Sequence, residues 1–166
     1  MVTRALARFR VPLGFAAGGL AYWLARPTMR SLAIGLALAA AGELLRIWAA
    51  GHLDKGREIT RSGPYRFVRH PLYLGSALMG AGVVVAARSW PVAIVAAAYL
   101  ALTYGAAIRT EEATLDARFA GAYAEYRAGR AAPDTRPFSW ARVRANREYR
   151  AVIGLLIAGA LLYWRT

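Results

Sequence analysis

Five long apolar segments alternate with basic segments along this chain, and this alternation constrains the fold more than any motif. The apolar segments lie near residues 11–25, 31–50, 71–87, 90–108 and 151–164. A helix needs about 20 residues to cross a hydrocarbon core of about 30 Å. The second and fourth segments have this length, whereas the others must recruit flanking residues or lie in a thinner bilayer. The sequence therefore predicts an all-α, polytopic integral membrane bundle with about five transmembrane helices.

The Lys and Arg residues indicate how the bundle is oriented. The chain carries 22 of them and a net charge of +13. Seventeen precede the first apolar segment, separate the second from the third, or separate the fourth from the fifth. Cytoplasmic loops carry an excess of Lys and Arg. We therefore expect an N-terminus and an active site in the cytoplasm, a C-terminus on the opposite side, and a bacterial inner membrane as the location.

The basic residues also bear on the partners of the chain. They flank the apolar segments and form no aromatic-interleaved patch, so we attribute them to topology and anionic lipid and expect no nucleic-acid partner. The first apolar segment lacks a small-residue cleavage site, so we expect a retained helix and not a signal peptide.

Two charged residues, Glu43 and Arg46, lie inside the second apolar segment. Their i, i+3 spacing places them on one helix face, close enough to pair. Charges within a membrane generally face the interior of a bundle. Two interpretations follow: a structural ion pair whose arginine extends toward the cytoplasmic boundary, or a contribution to a polar cavity. We favour the ion pair.

Residues 63–75, GPYRFVRHPLYLG, place four polar side chains directly before the third apolar segment; these are Arg66, Arg69, His70 and Tyr73. Pro71 fits the first turn of a helix. The free N–H groups and the dipole of such a helix start favour an anion. The order of these residues predicts a binding site for a charged small molecule at the cytoplasmic boundary. For the arginines alone, anchoring to lipid headgroups is the alternative.

A second polar cluster follows the fourth apolar segment and continues into an aromatic stripe; it comprises Arg109, Glu111, Glu112, Leu115, Phe119, Tyr123 and Tyr126. The helical spacing predicts an amphipathic extension of the fourth helix. Glu111 falls on the apolar stripe, where a carboxylate needs a partner. That partner is either a nearby arginine or a hydroxyl or cation of a ligand. Glu112 falls on the neighbouring face, where we expect it to be solvated.

Several kinds of site are excluded by what the sequence lacks. The chain has no cysteine and only two histidines, which argues against a thiolate nucleophile and against a zinc site. No phosphate-binding or nucleophile-elbow motif is present, and no strands alternate with helices as a Rossmann domain requires. We therefore expect no resident metal and no Rossmann cofactor domain.

In the two polar stretches the chain resembles the isoprenylcysteine carboxyl methyltransferase family, which groups with the membrane phospholipid methyltransferases. The matching residues are Ser62-Gly63-Pro64-Tyr65, Arg69-His70-Pro71-Leu72-Tyr73-Leu74-Gly75, and Arg109-Thr110-Glu111-Glu112 with Leu115, Phe119, Gly121, Tyr123 and Tyr126. One helical hairpin separates the second group from the third. The resemblance covers roughly residues 57–138, about half of the chain.

The resemblance implies an all-helical membrane enzyme that uses S-adenosyl-L-methionine without a Rossmann domain. Carried over by position, the cofactor-binding residues are Arg57, Glu58, Ile59, Thr60, Tyr65, His70, Pro71, Leu72, Tyr73 and Glu111. The resemblance also places Arg109 near the reacting groups as a catalytic residue. If the acceptor is an amine, it must lose a proton before attack, and we expect His70 or Glu111 to act as the base. Two features depart from the family: only two spans precede the hairpin, and the apolar segment 151–164 follows it. The surface that admits the lipid is therefore expected to differ.

We expect a single membrane domain over residues 1–166. It contains N-terminal spans in 1–56, a methyltransferase-like core of loop, hairpin and amphipathic helix in 57–138, and a basic linker with a C-terminal span in 139–166. The leading hypothesis is methyl transfer to a lipid, a prenylated molecule or another hydrophobic acceptor. Isoprenylcysteine carboxylate and a phospholipid amine both stay open as acceptors. The alternatives are a sterol-reductase-like membrane reductase that uses NADPH, and a non-catalytic membrane scaffold.

Overall fold

The computed structural model describes the backbone of residues 2–166 and the side chains from residue 12 onward, except that of Ala120. Six helices follow in order: α1 (Val2–Leu24), α2 (Met29–His52), α3 (Pro71–Ala87), α4 (Trp90–Arg127), α5 (Trp140–Ala145) and α6 (Tyr149–Tyr163). A short 3-10 helix, Gly63–Arg66, lies between α2 and α3. No strand occurs in the described part, so the all-α prediction is confirmed. The side chains of Arg4, Arg8 and Arg10, which contributed to the predicted orientation, lie outside the described residues.

Within the part of the chain that the structure describes, two helices are long and apolar enough to cross a membrane by length and composition: Met29–His52, and Trp90–Phe119 within α4. The helices α3 and α6 are apolar but shorter, with 17 and 15 residues. The described residues are thus consistent with a membrane helical protein, and the count of five spans stays a prediction.

The helix α4 continues well past its apolar part. Its 38 residues correspond to about 57 Å at ~1.5 Å per residue, whereas the hydrocarbon core is about 30 Å thick. The polar cluster that begins at Arg109 therefore lies on the same rigid helix as the apolar segment. This confirms the predicted amphipathic extension.

The helices α2 and α3 pack against each other through glycines that recur every seven residues. Gly35 faces Gly82, and Gly42 faces Gly75, so the two helices run antiparallel. A Cβ atom added at Gly82 would lie 2.5 Å from the carbonyl oxygen of Gly35. Small residues at such a seam allow two helix backbones to approach closely. This contact fixes the start of α3 beside the end of α2.

One end of the bundle is closed by a small apolar core. Ala25, Leu32, Ala86, Val92 and Leu162 are buried together there. They come from the end of α1, the start of α2, the end of α3, the start of α4 and the end of α6. The helices α1, α3 and α6 therefore run toward this end, and α2 and α4 run away from it. The opposite end, which we call the open end, gathers the predicted site residues.

The segment between α4 and α6 returns to the open end and caps α2. Arg142 donates from Nε to the carbonyl of Gly51 at 2.7 Å. The Asn146 amide donates to the carbonyls of Ala50 and Leu53, each at 3.0 Å. The last carbonyls of a helix have no partner within it, and donors or cations placed there stabilise it. The helix α5 is therefore attached directly to the end of α2.

Candidate functional site

The loop between α2 and α3 is shaped around His52. This ring is buried, and its Nδ1 atom lies 3.0 Å from the hydroxyl of Ser62. Gly63 has a φ of +55°, and a Cβ atom there would lie 2.4 Å from the ring of His52. Only glycine combines this backbone conformation with this contact. The turn brings Tyr65 beneath α4, where the hydroxyl of Tyr126 donates to its carbonyl at 2.9 Å.

The start of α3 agrees with the prediction. Pro71 occupies its first position and His70 precedes it as the N-cap residue. His70 Nε2 lies 3.1 Å from Glu112 Oε1, and an Arg69 nitrogen lies 3.5 Å from the same oxygen. The expectation that Glu112 is solvated was therefore wrong, because its side chain is only 25% exposed and contacts both Arg69 and His70. The cationic start of α3 packs against this face of α4, so a carboxylate there has partners.

Glu111, one residue earlier, is hydrogen-bonded to a different residue of α3, Tyr73. The hydroxyl of Tyr73 donates to Glu111 Oε2 at 3.0 Å. The ring of Tyr73 packs edge-on against His70 and Tyr104, with centroids 5.9 and 5.2 Å apart. The carboxylate is thus bound by a phenol, not by a neighbouring arginine. His70, Tyr73 and Glu111 form one connected polar wall.

Two cavities meet at this wall. The larger, about 850 Å³, extends from the wall toward α1 and the turn between α5 and α6; we call it the membrane-side cavity. The smaller, about 320 Å³, lies between the loop and the extension of α4; we call it the loop-side cavity. Both volumes fall in the range of small-molecule sites. Residues that line both are Leu53, Lys55, Tyr65, Arg69, His70, Tyr73 and Glu111.

The loop-side cavity combines aromatic and polar walls. Phe119 and Tyr123 line it from α4. Burial, with a smaller effect of the Glu112 carboxylate, raises the pKa of Tyr123 to about 12. Burial likewise raises the pKa of Tyr65, so both phenols stay neutral at physiological pH. Glu58 lines this cavity from the loop, and its buried Oε1 atom has no hydrogen-bond partner in the described protein.

Most of the predicted cofactor-binding residues lie together at these cavities. The loop-side cavity is lined by Glu58, Ile59, Thr60, Tyr65, His70, Tyr73 and Glu111. Pro71 and Leu72 line the membrane-side cavity. Two predicted residues are placed elsewhere. Arg57 is 83% exposed and pairs with Asp54, and Arg109 is exposed and lines neither cavity.

The membrane-side cavity contains an ion pair that the sequence did not reveal. Arg46 donates to both carboxylate oxygens of Glu148, at 2.8 to 3.1 Å. It also donates to the Leu72 carbonyl at 3.3 Å and to the Ser76 hydroxyl. Glu43 is a more distant partner, at 3.8 Å. Arg46 therefore lines a polar cavity, which was the less favoured interpretation of the Glu43–Arg46 pair.

Glu148 is 4% exposed. A weak sequence signal was available for it, since it is the last acidic residue and lies three positions before the final apolar segment. No group of three or more His, Asp or Glu side chains in the described part of the chain is placed to hold a metal ion.

Comparison with known proteins gives a family match over most of the chain. A family model described as phospholipid methyltransferase matches residues 10–122. The match begins within α1, well before the motifs that carry the resemblance, and it ends before α5 and α6. No solved structure matches the chain.

Two curated relatives carry names from metal resistance. The cobalt-zinc-cadmium resistance protein CzcN of Cupriavidus metallidurans is 38% identical over 95 residues, which is 56% of this chain and 42% of that protein. The nickel-cobalt-cadmium resistance protein NccN of Alcaligenes xylosoxydans xylosoxydans is 30% identical over 99 residues, 58% of this chain and 45% of that protein. The alignments span less than half the length of these relatives.

Proposed function

Because the chain belongs to the phospholipid methyltransferase family, we propose that it transfers a methyl group from S-adenosyl-L-methionine to a lipid or lipid-like acceptor at the cytoplasmic face of the membrane. The observation that carries this proposal is the wall of His70, Tyr73 and Glu111 shared by two cavities. A soluble donor and a lipid acceptor can then bind on opposite sides of the same residues. The resistance names belong to longer proteins and do not enter the proposal.

The loop-side cavity fits the cofactor by its chemistry. Phe119 and Tyr123 offer aromatic faces to an adenine ring and to a cationic sulfonium. The carboxylates of Glu58 and Glu111 can accept from ribose hydroxyls or an ammonium group, and the unpartnered Oε1 atom of Glu58 lacks such a donor. When bound, S-adenosyl-L-methionine supplies an electrophilic methyl group attached to a sulfonium.

The residues of the membrane-side cavity orient the acceptor and keep water away from it. Displacement at a sulfonium depends mainly on positioning and desolvation. Arg46 and Glu148 line this cavity as a hydrogen-bonded pair, so we assign to this pair, and not to Arg109, the polar surface that faces the head of the acceptor. If the acceptor is an amine, His70 takes its proton, and Glu112, 3.1 Å away, stabilises the resulting imidazolium.

Binding and transfer experiments test this function. Purified protein in detergent is titrated calorimetrically with S-adenosyl-L-methionine, S-adenosylhomocysteine and NADPH, and we expect binding of the first two only. Membranes are then incubated with methyl-labelled cofactor, and the labelled lipid is identified by mass spectrometry. No binding of either sulfur compound would refute the proposal. Preferential binding of NADPH would favour a reductase, and binding without transfer to any extracted lipid would favour a scaffold.

A matched pair of variants tests the cofactor wall. We expect Glu111→Gln to weaken cofactor binding at least about tenfold, equivalent to roughly 1.4 kcal/mol, because Glu111 lines the loop-side cavity. Glu112→Gln should have a smaller effect, since Glu112 acts through His70 and Arg69. Glu125→Gln, at an exposed ion pair on the same helix, is the control. Equal effects of the first two changes would show that Glu111 does not face the cofactor.

A further inference from the structure

An apolar groove runs between α1, α3 and α6, below the membrane-side cavity. Its volume is about 510 Å³, and its walls include Gly18 and Tyr22 of α1, Val83 of α3, and Gly154 and Ile157 of α6. Gly14 and Phe15 line both the groove and the membrane-side cavity. The apolar groove therefore continues from the polar cavity that contains Arg46.

We propose that this groove holds one hydrocarbon chain of the methyl acceptor while the polar head of the same molecule lies in the membrane-side cavity. The inference rests on the proposed function and adds two things to it. It gives the acceptor the chemistry of an amphiphile bound with its chain parallel to the helices. It also assigns part of the binding site to α6, which lies outside the residues matched by the family model.

Three of the four glycines that line the groove leave room instead of closing a helix contact; the exception is Gly14, which packs against Tyr99. A Cβ atom added at Gly18, Gly19 or Gly154 would meet no atom within 4 Å. At the seam between α2 and α3, by contrast, a Cβ atom on Gly35 or Gly82 would lie 2.4 to 2.5 Å from a backbone oxygen of the opposite helix. The same residue type thus brings α2 and α3 together and keeps a channel open between α1 and α6.

The groove is about as long as the hydrocarbon chain of one lipid. From Gly14 to Tyr22 the axis of α1 rises about 12 Å, at ~1.5 Å per residue. One leaflet contributes about half of a hydrocarbon core of about 30 Å. An amphiphile whose head reaches Arg46 can therefore place most of its chain in the groove, directed toward the closed end of the bundle, where Ala87 and Leu162 line the groove. Lipid tails are as apolar as the groove, so a chain gains little free energy by moving from the bilayer into the groove. We therefore expect the groove to select chains by their shape and to align the head of the acceptor.

Photolabelling tests the proposal without requiring methyl transfer. The probe is a long-chain fatty acid with a diazirine at its tail, added at one equivalent to the purified protein in detergent. After irradiation, labelled peptides are mapped by mass spectrometry. We expect the label to be concentrated on the groove-facing residues of α1 and α6. Equal labelling of exposed positions on α4, such as Ile94 and Leu102, would overturn the proposal, because it would indicate general lipid contact.

Substitutions that fill the groove give the matched control. Gly154→Leu should reduce labelling of α1 and α6 several-fold, whereas Gly105→Leu should not, since Gly105 lies on α4 with equally open surroundings and outside the groove. Gly18→Leu repeats the test from α1 if Gly154→Leu does not fold. Unchanged labelling in a folded groove variant would contradict the proposal. So would cross-links that join two protein chains through α6, because a second copy would then cover the groove.

The outcomes separate this proposal from the function on which it rests. The groove variants should bind S-adenosyl-L-methionine with wild-type affinity, because they lie away from the loop-side cavity. Wild-type protein that binds the cofactor but shows no preferred label refutes the groove alone. Wild-type protein that shows the preferred label but binds no cofactor refutes the methyltransferase function and leaves a chain-binding groove.

Discussion

Removing the carboxylate of Glu148 should destabilise the fold through Arg46. Glu148→Gln keeps the shape of the side chain but leaves a guanidinium whose side chain is 19% exposed without its closest anion. Breaking a buried ion pair from one side costs about 3–5 kcal/mol. Arg46 keeps the Leu72 carbonyl, the Ser76 hydroxyl and a contact of 3.8 Å with Glu43. We therefore expect a loss of about 2–3 kcal/mol, at or below the lower limit of that range.

Thermal unfolding in detergent, followed by circular dichroism, measures this loss. A change of 1 kcal/mol shifts Tm by about 2–4 °C in proteins of similar length, so we expect Tm to fall by about 4–12 °C. The control is Glu125→Gln, which removes the ion pair between Glu125 and Arg130. Its carboxylate oxygen and guanidinium nitrogen are also close, at 2.7 Å, but this pair is exposed to solvent. Exposed pairs contribute little, so this variant should unfold close to the wild-type temperature.

A combined substitution identifies the cause of the loss. Arg46 and Glu148 are replaced together by methionine in a chain that also carries Glu43→Gln, so that no buried carboxylate is left without its cation. Such replacements of a buried ion pair are often close to neutral. The combined variant should therefore recover most of the stability lost in Glu148→Gln. The reasoning is refuted if Glu148→Gln unfolds within error of Glu125→Gln, because the pair would then be equivalent to a surface contact.

Two further predictions concern glycines and are checked by the same unfolding assay. Gly63→Ala should lower stability by more than Gly129→Ala: both positions have positive φ, but only the added methyl at Gly63 would meet a ring, that of His52. Equal losses would show that the contact with His52 is relieved at no cost. Gly82→Ala should cost about 1–3 kcal/mol by forcing α2 and α3 apart, whereas Gly105→Ala, with open space around it, should be neutral or slightly stabilising.

Much of the helical framework could be predicted from local sequence. Pro71 was expected to begin a helix, and α3 begins there. The stripe from Glu111 to Phe119 was expected to extend the fourth helix, and α4 continues through it. Periodicity and proline geometry act within a few residues, so they are visible in the chain itself. The glycine seam of α2 and α3 was less visible, because it depends on which helix faces which.

The site was predicted less completely, for a physical reason. The pattern placed Glu111 on the apolar stripe, but whether Glu112 is solvated depends on what packs beside α4. That neighbour is the basic start of α3, 42 residues away from Glu112 along the chain. The pair of Arg46 and Glu148 spans 102 residues. Partners so far apart in sequence are brought together by helix packing, which no local spacing encodes.

The turn between α5 and α6 shows why the membrane-side cavity depends on the C-terminal segment. Arg147 has a φ of +60°, a conformation that costs a non-glycine residue of order 1–3 kcal/mol. Such a conformation persists only where the surroundings hold it. Here Asn146, on one side of it, caps α2, and Glu148, on the other, binds Arg46.

This turn lines the membrane-side cavity, and α6 then forms a wall of the groove. The loop-side cavity, by contrast, is lined almost entirely from within the matched residues 10–122. The two cavities share the wall of His70, Tyr73 and Glu111, but only the membrane-side cavity is also lined by residues 145–148. On the proposed function, this part of the chain can change the choice of acceptor without changing cofactor binding. We therefore expect exchange of residues 140–163 for those of a relative to change the methylated lipid while leaving cofactor affinity unchanged.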